Sequence, residues 1–174
     1  DGTSEAVKEH FPAIEVIQGD GNLYWAGGMR LAWKTAICRK SYDVFLLLND
    51  DVILRPDFFL KLIETDEYVY KTTGKRGVYS GATYVNSSNE ISYGASNIRN
   101  YLFVVKSRKL VPADKPQACN ITNANILWVN RGVVDQIGIF DDRFTHAMAD
   151  HDYALQASKK KLPVFLAHGI CGVC

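Results

Sequence analysis

Cysteine is scarce here: Cys38, Cys119, Cys171 and Cys174 are the only four among 174 residues. Thinly scattered, they do not make a disulfide framework, and the expected setting is a reducing, cytoplasmic one, free or peripheral at the inner face of a membrane. His168, Cys171 and Cys174 have H-x-x-C-x-x-C spacing. With no fourth zinc ligand nearby, they read as a strand end followed by small loop residues. An excess of either charge is also missing, since 20 Lys and Arg face 19 Asp and Glu for a net +1. That balance argues against a surface built to bind nucleic acid or anionic membrane. The basic clusters Lys159-Lys160-Lys161 and Lys106 to Lys109 are short and read as solvated faces. Long apolar runs are absent too: Val44 to Leu48 is strand-sized, so no transmembrane segment is expected. Repeats, low-complexity tracts and linkers are not seen.

What is present is a composition 47% hydrophobic and 22% charged, ordinary for a globular protein. The length suits one domain over 1–174. Ser4 can cap a helix through His10, and Ala13 to Ile17 reads as a strand. Trp25 to Lys40 carries Met29, Ala32, Trp33, Ala36 and Ile37 on one stripe, predicting a helix. Val44 to Leu48 is continuously apolar, as in a strand buried on both faces of a parallel sheet. Pro56 opens a helix to about Tyr70. Strands are expected at Gly77–Val85, Tyr101–Val105, Ile126–Val129 and Pro163–Ala167, with a hairpin-like excursion over Asn86–Asn100. Helices are expected at Arg131–Ile137 and Asp150–Lys161. The alternation predicts an α/β layered fold around a mostly parallel sheet. Ligands of such sheets sit at the strands' carboxyl ends, which directs attention to the residues after Leu48, after Val129 and near Asp150.

Asn49, Asp50 and Asp51 follow the apolar strand. One or two carboxylates without His or Cys suit Mg²⁺ or Mn²⁺, which fill their remaining positions with water and phosphate oxygens. An Asx-rich turn before a proline-started helix explains the same residues equally well. A second acidic site lies in Phe140-Asp141-Asp142-Arg143-Phe144-Thr145-His146 and Asp150-His151-Asp152-Tyr153. Asp150 stands where a helix begins and can cap it. Held in a cleft, it can equally accept a proton from an attacking hydroxyl. His146 reads as a substrate ligand or a loop residue, His151 as structural or solvent-facing, and Asp152 as orienting its neighbours.

These pieces together resemble the family-two glycosyltransferases of the A-type fold, in the bacterial rhamnosyltransferase-like branch. Asp1-Gly2-Thr3 resembles the end of the family's D-x-S-x-D-G-T turn. The run from Gly21 to Arg30 resembles its N-x-G-x-x-G-G segment under the nucleotide, and Leu47 to Val52 the D-x-D variant that begins with Asn. Asn123-Ala124-Asn125 resembles N-G-N, Gly138 to Asp141 resembles G-x-F-D, and Asp150 to Ala157 resembles E-D-x-D-[YL]-x-L-R-A. The family's Glu before the base is Ala149 here, and its Arg of L-R-A is Gln156. Residues of the family's first strand, before Asp1, are not in the chain.

The resemblance implies a nucleotide-diphospho-sugar transferase fold with the first strand missing, and sugar transfer with inversion to a hydroxyl of a glycan or lipid-linked acceptor. It makes Asp150 the catalytic base and Asp51, then Asp50, the ligands of Mg²⁺ or Mn²⁺ on the diphosphate of a UDP-, GDP- or dTDP-sugar. Asn22, Gly27, Gly28, Arg30 and Asn49 would face the nucleotide, and Asn123, Asn125, His146 and Asp152 the substrate. His168, after the last expected strand, is a candidate for a further metal contact. Rival readings are a sugar-phosphate nucleotidyltransferase and a non-catalytic carbohydrate-binding domain of the same fold.

Overall fold

The computed structural model describes residues 2–86, 88–101 and 104–174, so Asp1 of the expected N-terminal turn lies outside the described residues. The chain runs through α1 (Thr3–His10), α2 (Tyr24–Arg39), β1 (Val44–Leu48), β2 (Ile53–Leu54), α3 (Phe58–Thr73) and β3 (Val78–Tyr84). It continues through β4 (Ala95–Tyr101), β5 (Val104–Lys109), β6 (Gln117–Ala118), β7 (Ile121–Thr122) and β8 (Ile126–Asn130). It closes with α4 (Arg131–Ile137), α5 (Ala149–Lys159) and β9 (Val164–Val173). The main sheet has the order β1-β8-β3-β9-β2, with β6 also on β9, and a smaller sheet has the order β5-β4-β7.

The architecture is mixed α/β, and the expectation of a mostly parallel sheet is corrected. Among the described residues of the main sheet only β3 and β9 pair in parallel; β1–β8, β3–β8, β2–β9 and β6–β9 are antiparallel. β1 is fully buried only at Phe45 and Leu47, with Val44, Leu46 and Leu48 half-buried, and continuous apolar runs carry no information on strand direction. β8 shows this directly: all five of its residues are buried, and it runs against both neighbours.

Two layers of helix cover the sheet. On one face Trp33 of α2 packs its ring against Phe45, Phe140 and Tyr153 at 5.4–5.8 Å. Leu47, Leu127, Val129 and Ala154 complete that core. On the other, Leu62 and Val69 of α3 meet Tyr79, Ile126 and Trp128. β1 feeds both cores by parity: Phe45 and Leu47 join the first, while Val44, Leu46 and Leu48 pack against the second. Asp66 of α3 is buried but satisfied, accepting from Tyr79 Oη at 3.0 Å and Asn130 Nδ2 at 3.0 Å and pairing with Arg76. Burial pushes the Tyr79 hydroxyl up to about 12.

Three local expectations change. Ala13 to Ile17 is not a strand; no described strand lies beside it to complete a ladder, and Ile14 and Ile17 stay exposed. Ser4 does not cap α1: the helix begins two residues earlier than such a cap would give, after Gly2 at φ 82°, and Ser4 Oγ reaches Gln18 instead. Pro56 precedes α3 rather than opening it, because Pro56 and Asp57 form a turn in which Phe58 N donates to Arg55 O.

Candidate active-site cleft

The β1–β8 ladder extends one pair past the end of β1. Asn49 N donates to Asn125 O at 3.1 Å, which sets two carboxamides side by side at the sheet's end. Trp25 Nε1, in the first turn of α2, donates to Asn49 Oδ1 at 2.8 Å. Across from them stands the start of α5. Asp150 Oδ2 accepts Ala124 N at 3.0 Å, and its Oδ1 accepts His151 N at 2.9 Å. Asn123 and Asp150 thus tie the loop before β8 to the head of α5. Together these elements enclose a cleft of about 340 Å³. Asn49, Asn123, Asn125, His146 and Asp150 all line it, although they come from four places in the sequence.

His151 also lines the cleft, which sequence reasoning missed. Its Nε2 lies 3.0 Å from Asn123 Nδ2. Asn123 Oδ1 accepts Gly94 N at 3.4 Å, so the amide nitrogen faces the imidazole and Nε2 is the acceptor. The imidazole proton then sits on Nδ1. Trp25, Tyr93 and Met148 line it as well. One local signal marks the region: Tyr24 and Met148, flanking the cleft on α2 and before α5, hold φ of 51° and 72°. Such strain in non-glycine residues concentrates at functional sites.

Other candidate residues fall elsewhere. Asp50 and Asp51 are exposed beyond the end of β1. Asp51 touches the Cys174 thiol, whose pKa is raised by burial first and by Asp51 next. The Cys174 sulfur also meets Asn125 Nδ2 at 3.7 Å. His168 is not brought to Asp51: it lies within β9, six residues before Cys174, and bonds Glu64 Oε2 on α3 at 2.9 Å. Among the described residues no three His, Cys, Asp or Glu side chains form a ready cation cage. Asp152 lies two residues past Asp150, about 200° around a helix, and faces a different groove with Asp141, Arg143 and Lys159. Its carboxylate accepts from Gln156 Nε2.

Arg30 is committed to the backbone. Its Nη1 donates to the carbonyls of Asp141, at 3.0 Å, and Phe144. It thereby anchors the loop that carries His146, whose ring stands 6.2 Å from Tyr24. Gly27 is buried within α2, where an added Cβ would come 3.1 Å from Leu23 Cβ. Gly28 lines a separate groove of about 380 Å³ with Ile17, Gly21 and Tyr24. Asn22 N donates to Asp20 Oδ1 at 2.8 Å, closing an Asx turn. In the loop after α4, the Arg143 guanidinium holds Asp141 down to about 2.

No protein-family model matches the chain, and no curated protein matches it. Among the described residues no helix is long and apolar enough to cross a membrane.

Proposed function

We propose that this chain is the catalytic domain of an inverting glycosyltransferase of the A-type fold, moving a sugar from a nucleotide diphosphate to an acceptor hydroxyl. The observation that carries the reading is the cleft itself. One carboxylate, Asp150, is fixed by two backbone N–H groups in a cleft that three carboxamides, Asn49, Asn123 and Asn125, also line. A carboxylate so held is poised to take a proton from a bound hydroxyl, and the neighbouring amides orient that hydroxyl by hydrogen bonds. His151 keeps Asn123 in register by accepting its amide proton.

The donor set suits a cation held chiefly by its ligand. Asp51, with Asp50, would bind Mg²⁺ or Mn²⁺ through one or two carboxylates, and the remaining positions belong to water and phosphate. Bound there, the metal supplies neutralisation of charge on the departing diphosphate. The open groove beside Gly28 is large enough for part of a nucleotide, and its walls are mostly backbone and aliphatic.

Calorimetric titration of UDP, GDP and dTDP, with and without Mn²⁺, tests the reading. Mn²⁺-dependent binding of one nucleotide, weakened at least tenfold in Asp51→Ala, is expected. A folded chain that binds none of them in either condition overturns it in favour of a non-catalytic carbohydrate-binding domain.

A further inference from the structure

We infer that the Asp150 cleft accepts an uncharged saccharide face with neighbouring hydroxyls and discriminates against sugars that carry a carboxylate. The inference rests on the sugar-transfer reading and names the acceptor class of that same cleft.

Uncommitted polar atoms point to hydroxyls. Asn49 gives its Oδ1 to Trp25, which leaves its Nδ2 to donate. Asn125 turns its Nδ2 toward the Cys174 sulfur, which leaves its Oδ1 to accept. The two residues are ladder partners, so a donor and an acceptor stand side by side. Asp150 adds acceptor capacity, because each of its oxygens has a single hydrogen-bond donor among the described residues. Adjacent hydroxyls, each both donor and acceptor, match that alternation. Apolar surface is provided by Trp25, Tyr93 at 39% exposure and Met148 at 54%, enough to cover the C–H face of a ring.

Charge sets the discrimination. Among the described residues that line the cleft there is no Lys or Arg, and Asp150 is the one carboxylate. Of the nearby guanidiniums, Arg143 is paired with the Asp141 carboxylate, while Arg30 stands outside the lining and donates through Nη1 to two loop carbonyls. The positive end of α5 is met by Asp150 itself, which accepts the His151 N–H. The ring nitrogens among the described lining residues belong to Trp25, His146 and His151. A ligand carboxylate about 5 Å from Asp150 at a partly screened surface would lose roughly tenfold in affinity.

The test uses the full chain labelled with ¹⁵N and follows the Trp25 indole N–H, at pH 8, above the range in which histidine ordinarily titrates. Methyl glucoside, galactoside and mannoside are titrated to about 100 mM, each beside its uronate. At least one neutral glycoside is expected to shift the indole signal, with its uronate binding roughly tenfold or more weakly. Asp150→Asn should narrow that gap, and so should about 1 M salt, which needs no variant. A uronate that binds as well as its neutral partner overturns the inference and leaves sugar transfer standing. No shift with any neutral glycoside also overturns it; if nucleotide binding persists, the transfer reading survives, and if that is absent too, both fall.

Discussion

Asp150 is held by two backbone donors, and the proposed chemistry asks only that it take one proton. Asp150→Asn retains an oxygen acceptor for Ala124 N while losing basicity. Turnover should fall by roughly 10²–10⁴ with nucleotide binding unchanged, as measured by initial rates beside calorimetry. Unaltered transfer by Asp150→Asn would remove it from the base role. Asp141 offers a separate check, on electrostatics alone. Its carboxyl is held at about 2, below the ordinary value of 3.8, first by hydrogen bonding to the Arg143 side chain. A depressed carboxyl contributes stability in full above its unfolded value, and that contribution is lost as pH falls toward 2. In Arg143→Gln the Asp141 titration, followed by carbon NMR, should move up toward the ordinary value. Because Arg143 is exposed and Asp141 only half-buried, thermal stability at neutral pH should change little.

Close approach of backbones limits substitution at the element scale. Gly77 lies just before β3, where an added Cβ would stand 2.0 Å from Pro163 O, ahead of β9. Its N–H donates to Tyr79 Oη, and its carbonyl accepts from Asn130. Neither strand can retreat without breaking the one parallel pairing of the sheet. Gly77→Ala should therefore destabilise the fold by roughly 2–3 kcal/mol. A drop in melting temperature of roughly 4–12 °C by calorimetry would match that. Gly28, whose added Cβ would meet nothing within 4 Å, is the control expected to show almost no loss of packing. Arg30 acts at this scale too, since its contacts with the carbonyls of Asp141 and Phe144 join α2 to the loop leading into α5.

For the molecule as a whole, the longer open edge of the main sheet among the described residues is β1, since β2 has only two residues. β1 is the terminal strand, and β8 is its partner on the inner side alone. Asn49 N donates to Asn125 O and Arg131 N to Asp43 O, so odd-numbered residues of β1 face β8. The N–H and C=O groups of Val44, Leu46 and Leu48 consequently point outward, beside a cleft of about 440 Å³ lined by Trp33, Tyr42 and Phe45. Hydrogen exchange read by NMR in dilute solution should show those three amides exchanging at least about tenfold faster than Phe45 and Leu47. Equal protection would show that the edge is covered by another strand or a second copy.

Local patterns made several elements legible. The stripe from Met29 to Ile37 marked α2, the run from Val44 to Leu48 marked β1, and Arg131 to Ile137 proved to be α4 with the expected bounds. The sequence also singled out Asn49, Asn123, Asn125, His146 and Asp150 separately, which the fold then gathers around one cleft. Sheet direction was not legible, because burial on both faces gives parallel and antiparallel strands the same apolar run. Nor were the destinations of long side chains. Arg30 and His168 have the chemistry to meet phosphate or metal, yet their ends are bonded to loop carbonyls and to Glu64. What the sequence by itself determined is periodicity and the order of chemical groups, since both depend on near neighbours. Only the tertiary structure decided which groups meet, as with His151 and Asn123, because contacts across 28 positions are set by how the sheet and helices pack.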